Sequence, residues 1–269
     1  MARIRVFYAT DIHGSEDCFR KFLAAAKEYK PNVLILGGDI TSKMIIPIVA
    51  QSTTEWTATL LGEQLTMHNE AEVEAVEKKI RAIGYYTHRA SRREAEEILT
   101  DKERLDALFS KLMCDSVSTW MRLAEERLKG SGVKCYISPG NDDTFAIDSI
   151  IQSSGYVVYP EGNGVMIDDE HEMVSCGYSN MTPWNCPRDV SEEKLGERIA
   201  AMTSQVQNME TCIFNFHCPP YNTTLDQAPK LDKDLKPSVQ PGGGFEMAPA
   251  GSIAVSDAIR KHQPLLALH

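Results

Sequence analysis

Apolar and polar positions near the start of the chain follow the order strand, helix, strand. Alternation over residues 3–9 predicts a strand that runs into a polar loop. A helix is predicted to begin after Ser15, because apolar side chains then recur at the spacing i, i+3, i+4, i+7 (Phe19, Phe22, Leu23 and Ala26). The continuous apolar run at 33–36 predicts a strand buried on both faces, ending at Gly37-Gly-Asp39. The chain therefore opens with a β-α-β unit.

The pattern changes over residues 43–130, where Glu, Lys, Arg and Ala dominate and no strand pattern is evident. Three amphipathic stripes at helical spacing occur there: Val73, Val76, Ile80 and Ile83; Leu105, Leu108, Phe109 and Leu112 behind a Thr100/Glu103 capping box; and Val117, Trp120, Met121 and Leu128. We predict a helical insertion over 43–130. It either forms a cap over a site or is an elaborated crossover that covers the sheet.

Strand patterns resume after the insertion and alternate with helices to the end of the chain. Strands are predicted at 133–137, 156–159, 165–167, 173–176, 211–216 and 264–268, with helices beginning at Ser191 and spanning 252–261. The long segment 221–250 is rich in Pro, Gly and Asp, which is typical of a functional or mobile loop. This alternation indicates an α/β protein.

Potential ligands for hard metal ions follow four of the predicted strands. They are Asp11 and His13, Asp39, Asn141 with Asp142, and His217. Open α/β sheets bind ligands at the carboxyl ends of their strands, so these side chains are expected to converge. Oxygen and imidazole ligands without thiolates suit Mn²⁺, Mg²⁺, Fe or Zn²⁺. An aspartate that can bridge suits two ions about 3.5–4 Å apart.

These motifs, in this order, resemble those of the calcineurin-like metallophosphoesterases. The motifs are D-x-H (Asp11, His13), G-D (Gly38-Asp39), G-N (Gly140-Asn141) and a histidine that closes a strand (His217). The resemblance implies a four-layer α-β-β-α sandwich of two mixed sheets, formed by one domain over 1–269 that contains the insertion.

The same resemblance implies a dinuclear site with two divalent metal ions, of Mn, Fe, Zn or Mg. Asp11 and His13 would hold the first ion, Asp39 would bridge, and Asn141 and His217 would hold the second. The implied activity is hydrolysis of a small phosphate ester by a metal-bridging hydroxide, with phosphodiesterase slightly favoured over phosphomonoesterase.

One departure concerns the third motif, which in the family usually reads G-N-H followed by an acidic residue. Here Asp142 occupies the histidine position, and Asp143 the position of the orienting acid. A carboxyl group with a reference pKa of about 3.9 is a weak candidate proton donor near neutrality. We therefore hypothesise that Asp142 is the catalytic side chain of an enzyme that does not rely on strong general-acid help and favours good leaving groups.

A second departure concerns the end of the chain. The family's G-H-x-H motif should follow the strand at 264–268, but only His269 stands there. We expect the domain to be truncated at its C-terminal end, which would leave each metal one ligand short. A non-catalytic scaffold that retains the metallophosphoesterase fold is the alternative interpretation.

Composition narrows the range of partners. The formal net charge of −10 argues against a general nucleic-acid or anionic-membrane surface. Seven scattered cysteines without a CxxC pair are expected to be reduced thiols, which favours a cytoplasmic protein. No apolar run approaches the roughly 20 residues of a spanning helix.

Overall fold

The computed structural model describes residues 4–269, so Arg3, the first residue of the predicted opening strand, lies outside the described residues. Helices in this range are α1 (Glu16–Glu28), α2 (Glu70–Ala82), α3 (Arg92–Thr100), α4 (Lys102–Leu128), α5 (Asp148–Gln152), α6 (Glu192–Thr203) and α7 (Ile253–His262). Strands are β1 (Val6–Ala9), β2 (Val33–Leu36), β3 (Ile45–Ala50), β4 (Trp56–Leu60), β5 (Glu63–Met67), β6 (Tyr86–Ser91), β7 (Lys134–Ile137), β8 (Gly164–Met166), β9 (Glu172–Cys176), β10 (Ser179–Asn180), β11 (Asp189–Val190), β12 (Ile213–Phe216), β13 (Gln227–Pro229), β14 (Met247–Pro249) and β15 (Leu266–Leu268). The chain is a mixed α/β protein with several sheets.

The first sheet has the order β1-β2-β7 and is parallel throughout. Successive side chains of a strand point to opposite faces. Leu34 and Leu36 of β2 accordingly pack with α1 and α4, where the rings of Phe19 and Trp120 stack with centroids 4.4 Å apart. The predicted cap of α1 is confirmed, because the Cys18 amide donates to the Ser15 hydroxyl at 3.2 Å.

The second sheet has the order β15-β12-β9-β8, with β12 parallel to both of its neighbours and β8 antiparallel to β9. One of its faces meets the first sheet, because Met173 and Ile213 share a core cluster with Ile35 and Tyr136. Its other face packs against α6 and α7, as the shared cluster that contains Phe214, Leu195 and Val255 shows. The two sheets thus lie face to face, each covered by helices on its other side.

The prediction that residues 43–130 are helical is wrong for much of the segment, which holds a mixed four-stranded sheet of order β5-β4-β3-β6. The apolar run of β3 (Ile45–Ala50) and the β-branched and aromatic residues of β4 favour strands. A two-residue turn at Leu61-Gly62, both at positive φ, joins β4 to β5. The charged composition of the neighbouring helices obscured these short signals.

Helices do form in the rest of this segment. The first predicted stripe is on α2, which packs Val73 and Ile80 onto the insertion's own sheet. The second and third stripes lie on the single long helix α4, which covers the first sheet. Its cap is Asp101, whose carboxylate accepts from the Arg104 amide at 3.2 Å, rather than the predicted Thr100.

Two further sequence-based expectations concern cysteines and membranes. All seven cysteines are free thiols in the structure, as predicted. Within residues 4–269, none of the helices combines the length and the apolar character that crossing a bilayer requires.

Candidate metal centre

The loops after β1 and β2 are joined by backbone hydrogen bonds. The amide of Asp11 donates to the Gly38 carbonyl at 3.0 Å, and that of His13 donates to the Asp39 carbonyl at 2.9 Å. Parallel strands bring their carboxyl ends to one edge of the sheet, and these bonds then fix the two loops against each other. The chain therefore places Asp11, His13 and Asp39 side by side, as the sequence predicts.

These three side chains form a group that can hold a metal ion. One ligand atom from each of Asp11, His13 and Asp39 lies within 4.8 Å of the others. His13 Nε2 is 3.7 Å from Asp11 Oδ1 and 3.9 Å from Asp39 Oδ2, too far for hydrogen bonds. Two carboxylates and one imidazole that face each other without hydrogen bonding suit a divalent cation of the Mn²⁺ or Zn²⁺ type.

The backbone of the same three residues is unusual. Asp11, His13 and Asp39 have φ values of 55°, 42° and 48°, in the left-handed region that non-glycine residues seldom adopt. Such conformations cost free energy and concentrate at functional sites. The surrounding hydrogen bonds hold all three residues in this conformation, which aims their side chains at a common point.

The second oxygen of the Asp39 carboxylate faces another set of side chains. Asp39 Oδ1 is 3.4 Å from His217 Nε2, and His217 Nε2 is in turn 3.0 Å from Asn141 Oδ1. Asp39 thus has His13 on the side of one oxygen and His217 on the side of the other. The other four residues predicted as ligands lie around this single carboxylate: Asp11, His13, Asn141 and His217.

The buried His217 lies in a strongly negative environment. Burial alone would lower the pKa of His217, but its hydrogen bond to Asp39 and the charges of Asp39, Asp11 and Asp143 outweigh burial and raise that pKa to about 9. Burial would raise the pKa of Asp39, yet His217 and the Asp142 amide keep it below its usual value. The site therefore favours a positive charge beside Asp39.

Asn141 is oriented by a residue that the sequence analysis missed. Its amide nitrogen donates to Asp189 Oδ1 at 2.8 Å, which turns its oxygen toward His217. The other oxygen of Asp189 accepts from the amides of Thr182 and Cys186. Asp189 follows no buried strand and lies far along the chain from Asn141, so no local pattern marks it.

Asp143 does not orient Asp142 but is buried among backbone donors. It accepts hydrogen bonds from the amides of Ile40, Thr41 and Gly140 at 2.8–3.1 Å and from the Thr41 hydroxyl at 2.6 Å. Burial and the charge of Asp39 raise the pKa of Asp143, while these hydrogen bonds oppose the rise. Asp143 therefore ties the loop after β2 to the loop after β7.

Asp142, the predicted catalytic residue, forms an ion pair that the sequence did not suggest. Its Oδ2 atom is 2.6 Å from Lys43 Nζ, while its backbone amide donates to Asp39 Oδ1 at 3.0 Å. Lys43 is the first residue of the insertion, and nothing in the local sequence marks it as a partner of Asp142.

His269 lies next to this centre at the end of β15. Its Nδ1 atom donates to the backbone carbonyls of Phe216 at 2.9 Å and Cys218 at 3.0 Å. Burial lowers the pKa of His269, and these two carbonyls oppose the effect. One ring nitrogen is therefore used to bind the backbone around His217.

Comparison with known proteins supports the fold alone. No family model matches the chain. The uncharacterized protein MJ1162 of Methanocaldococcus jannaschii is 37% identical over 62 residues, a match that spans 23% of this chain and only 27% of that protein.

Two solved structures are similar over 98% of this chain. TT1561 of Thermus thermophilus has a TM-score of 0.51 at 11% identity and is covered over 80% of its length. A second crystal structure has a TM-score of 0.53 at 12% identity and is covered over 83%. At such low identity the likeness extends to the α/β fold alone.

Proposed function

We propose that the chain is a metal-dependent phosphoesterase whose two divalent cations share Asp39. Asp11 and His13 would hold the first cation, and Asn141 and His217 the second. The observation that carries this proposal is the position of the Asp39 carboxylate, with His13 near one oxygen and His217 near the other. A bridging carboxylate with ligands on both sides is the arrangement that two-metal phosphoryl-transfer sites use.

The residues present fit such a centre. When bound, the cations would supply Lewis-acid stabilisation of the phosphoryl oxygens and a nucleophile available near neutral pH. The chain's part is to fix the ligands: Asp189 orients Asn141, and the Gly37 carbonyl, 3.3 Å from His217 Nδ1, leaves Nε2 to face Asp39. Asp143 fixes the loop that carries Asp39.

The fold that accompanies this proposal is the four-layer sandwich of the calcineurin-like metallophosphoesterases. The two face-to-face sheets, each covered by helices, support it. We propose one domain over 1–269, interrupted by the insertion at 43–130.

A small phosphate ester is the proposed substrate, and nucleic acid is disfavoured by the net charge of −10. We slightly favour phosphodiesterase activity, because a phosphoryl group held by metal ions can be cleaved without a proton from Asp142 when the leaving group is good. Esters with good leaving groups should accordingly react best.

The test combines metal analysis with an assay supplemented with Mn²⁺. The purified chain should bind Mn²⁺ and hydrolyse bis-p-nitrophenyl phosphate and p-nitrophenyl phosphate, and Asp39→Asn and His217→Ala should abolish both metal retention and turnover. Asp234→Asn and His68→Ala, at exposed positions, serve as matched controls. Turnover that persists in Asp39→Asn would refute the proposal.

A non-catalytic scaffold is the second candidate, favoured by the Lys43 pairing of Asp142 where the family has a histidine. A scaffold needs none of the five ligands for packing, whereas this chain brings all of them together. A well-folded chain that holds no metal and turns over neither ester would favour the scaffold.

A further inference from the structure

The candidate centre is rich in carboxylates, although the proposed substrate is an anion. Asp11, Asp39, Asp142, Asp143 and Asp189 all lie within it or on its border. Two divalent cations would offset part of this charge, but a phosphate ester that enters the site still meets the carboxylate of Asp142, which is 27% exposed. Lys43 adds a positive charge beside Asp142, on the side of the site where the insertion begins.

The backbone that carries Lys43 is firmly held. Thr41 and Ser42 are buried, and the Thr41 amide and hydroxyl both donate to Asp143. The Ser42 amide donates to the Tyr86 hydroxyl at 3.2 Å, and the Met44 amide donates to the Ser42 hydroxyl at 3.3 Å. The backbone at Lys43 is thus held in place, while the Lys43 side chain is 57% exposed to solvent.

The ammonium group of Lys43 can donate a hydrogen bond to a second acceptor. A lysine has three N–H donors, and the contact with Asp142 Oδ2 at 2.6 Å uses one. Burial would lower the pKa of Lys43, but the hydrogen bond and charge of Asp142, with the charge of Asp39, raise it, so the group stays cationic. Asp142 is itself held by its amide bond to Asp39 Oδ1, next to the proposed cations.

We propose that Lys43 is a substrate-binding residue whose ammonium group, held by Asp142, donates to a phosphoryl oxygen of the bound ester. This inference rests on the proposed phosphoesterase function and deepens it. Because the attraction scales with the ligand's charge, Lys43 should assist a dianionic phosphomonoester or inorganic phosphate more than a monoanionic diester.

The direct test measures binding of inorganic phosphate to the Mn²⁺-loaded protein by titration calorimetry, alongside steady-state kinetics. Lys43→Met should weaken phosphate binding and raise KM for p-nitrophenyl phosphate by about tenfold, the effect of losing one charged contact. The KM for bis-p-nitrophenyl phosphate should rise less, and kcat should change little. Lys43→Arg, which keeps the charge, should remain near the wild type.

A matched control removes a lysine–carboxylate pair elsewhere. Lys129 Nζ is 2.8 Å from Glu125 Oε1 at the end of α4, and Lys129→Met should leave phosphate binding and kinetics unchanged. Melting temperature and Mn²⁺ content of each variant show whether the fold and the metals are retained. Loss of Mn²⁺ in both Lys43 variants would mean that Lys43 is structural, and would overturn the inference.

The double variant Lys43→Met/Asp142→Asn separates two explanations of weaker phosphate binding in Lys43→Met. If Lys43 binds the ligand itself, the double variant binds phosphate more weakly than Asp142→Asn alone. If these two variants bind phosphate equally, Lys43 serves only to neutralise Asp142, and the inference is wrong. If the wild type turns over esters and Lys43→Met binds phosphate and turns over esters as well as the wild type does, the inference is refuted but the phosphoesterase proposal stands. A metal-loaded wild type that neither binds phosphate nor turns over esters refutes both.

Discussion

The side-chain amide of Asn141 donates to Asp189 Oδ1 across 2.8 Å, and this bond decides which way Asn141 faces. An ionised aspartate only accepts hydrogen bonds, so it selects the nitrogen of the amide and leaves the oxygen free. That oxygen lies 3.0 Å from His217 Nε2, on the inner side of the centre. Asp189 is therefore a positioning residue for a proposed metal ligand.

Asp189→Asn should weaken Mn²⁺ binding while leaving the chain folded. The new amide can offer either a donor or an acceptor to Asn141, so the orientation of Asn141 is no longer fixed. Loss of such an outer partner typically costs about 10- to 100-fold in metal affinity, which titration calorimetry would measure. Asp234→Asn, at an exposed position, is the control; equal affinities in both variants would contradict the assigned role.

Gly140→Ala should destabilise the fold at the centre itself. A Cβ atom at Gly140 would overlap the amide and Oδ1 of Asp39, and lie 2.8 Å from His217 Cε1. Overpacking against backbone typically costs about 1–3 kcal/mol, and urea denaturation would measure the free energy of unfolding. Gly155→Ala is matched to it, because its Cβ would meet nothing nearer than Glu125 Oε2 at 3.6 Å. Equal losses in the two variants would argue against a close approach of the loops at Gly140.

Asp143→Asn should lower the free energy of unfolding, because both oxygens of the carboxylate accept hydrogen bonds, whereas only one of the two terminal atoms of an amide can do so. Asp143 accepts from three backbone amides and the Thr41 hydroxyl, so a new N–H would face donors and leave some of them unpaired. An unsatisfied buried donor costs about 1–3 kcal/mol. Chemical denaturation would measure the loss, and a stability equal to that of the exposed-site variant Asp234→Asn would contradict this account.

The strands that lead into the proposed ligands, β1, β2, β7 and β12, could be predicted, because each depends on a local pattern. The strand predicted at 156–159 is wrong, since only an isolated bridge at Val158 forms there. Four buried residues at 33–36 form β2 and lead into Asp39, and the stripe after Ser15 forms α1. The convergence of Asp11, His13 and Asp39 follows from parallel pairing of β1 with β2. Such features require no knowledge of distant contacts.

The residues that position the ligands could not be predicted, because their roles depend on distant pairs. Asp189 contacts Asn141 from 48 positions away, and Asp143 contacts Thr41 from 102 positions away. Lys43 meets Asp142 only where the loop after β2 lies against the loop after β7, as the contact between Thr41 and Asp143 shows. The sheet within the insertion was missed for a different reason: its strands are short and are embedded in helix-forming sequence.

The carboxyl group of Glu161 should make stability depend on pH. It accepts from the Gly177 amide at 2.7 Å, beside the end of β9. Burial raises the pKa of Glu161 from 4.5 to about 7, although the Gly177 amide and the charge of Arg188 oppose the rise. The folded state thus binds this proton more tightly than the unfolded state does, so the free energy of unfolding should fall as pH rises from about 4.5 to about 7 and then level off.

Glu161→Gln tests this dependence, because glutamine can still accept from Gly177 and carries no proton to lose. The melting temperature of the variant minus that of the wild type should increase between pH 5 and pH 7.5, and should stay constant at higher pH. The exposed variant Glu63→Gln provides the baseline for removing one carboxylate. If the melting temperatures of Glu161→Gln and the wild type change with pH in parallel, burial does not raise the pKa of Glu161. A melting-temperature difference that grows with pH would show that the Glu161 carboxyl group, which accepts from the Gly177 amide, causes this part of the pH dependence of stability.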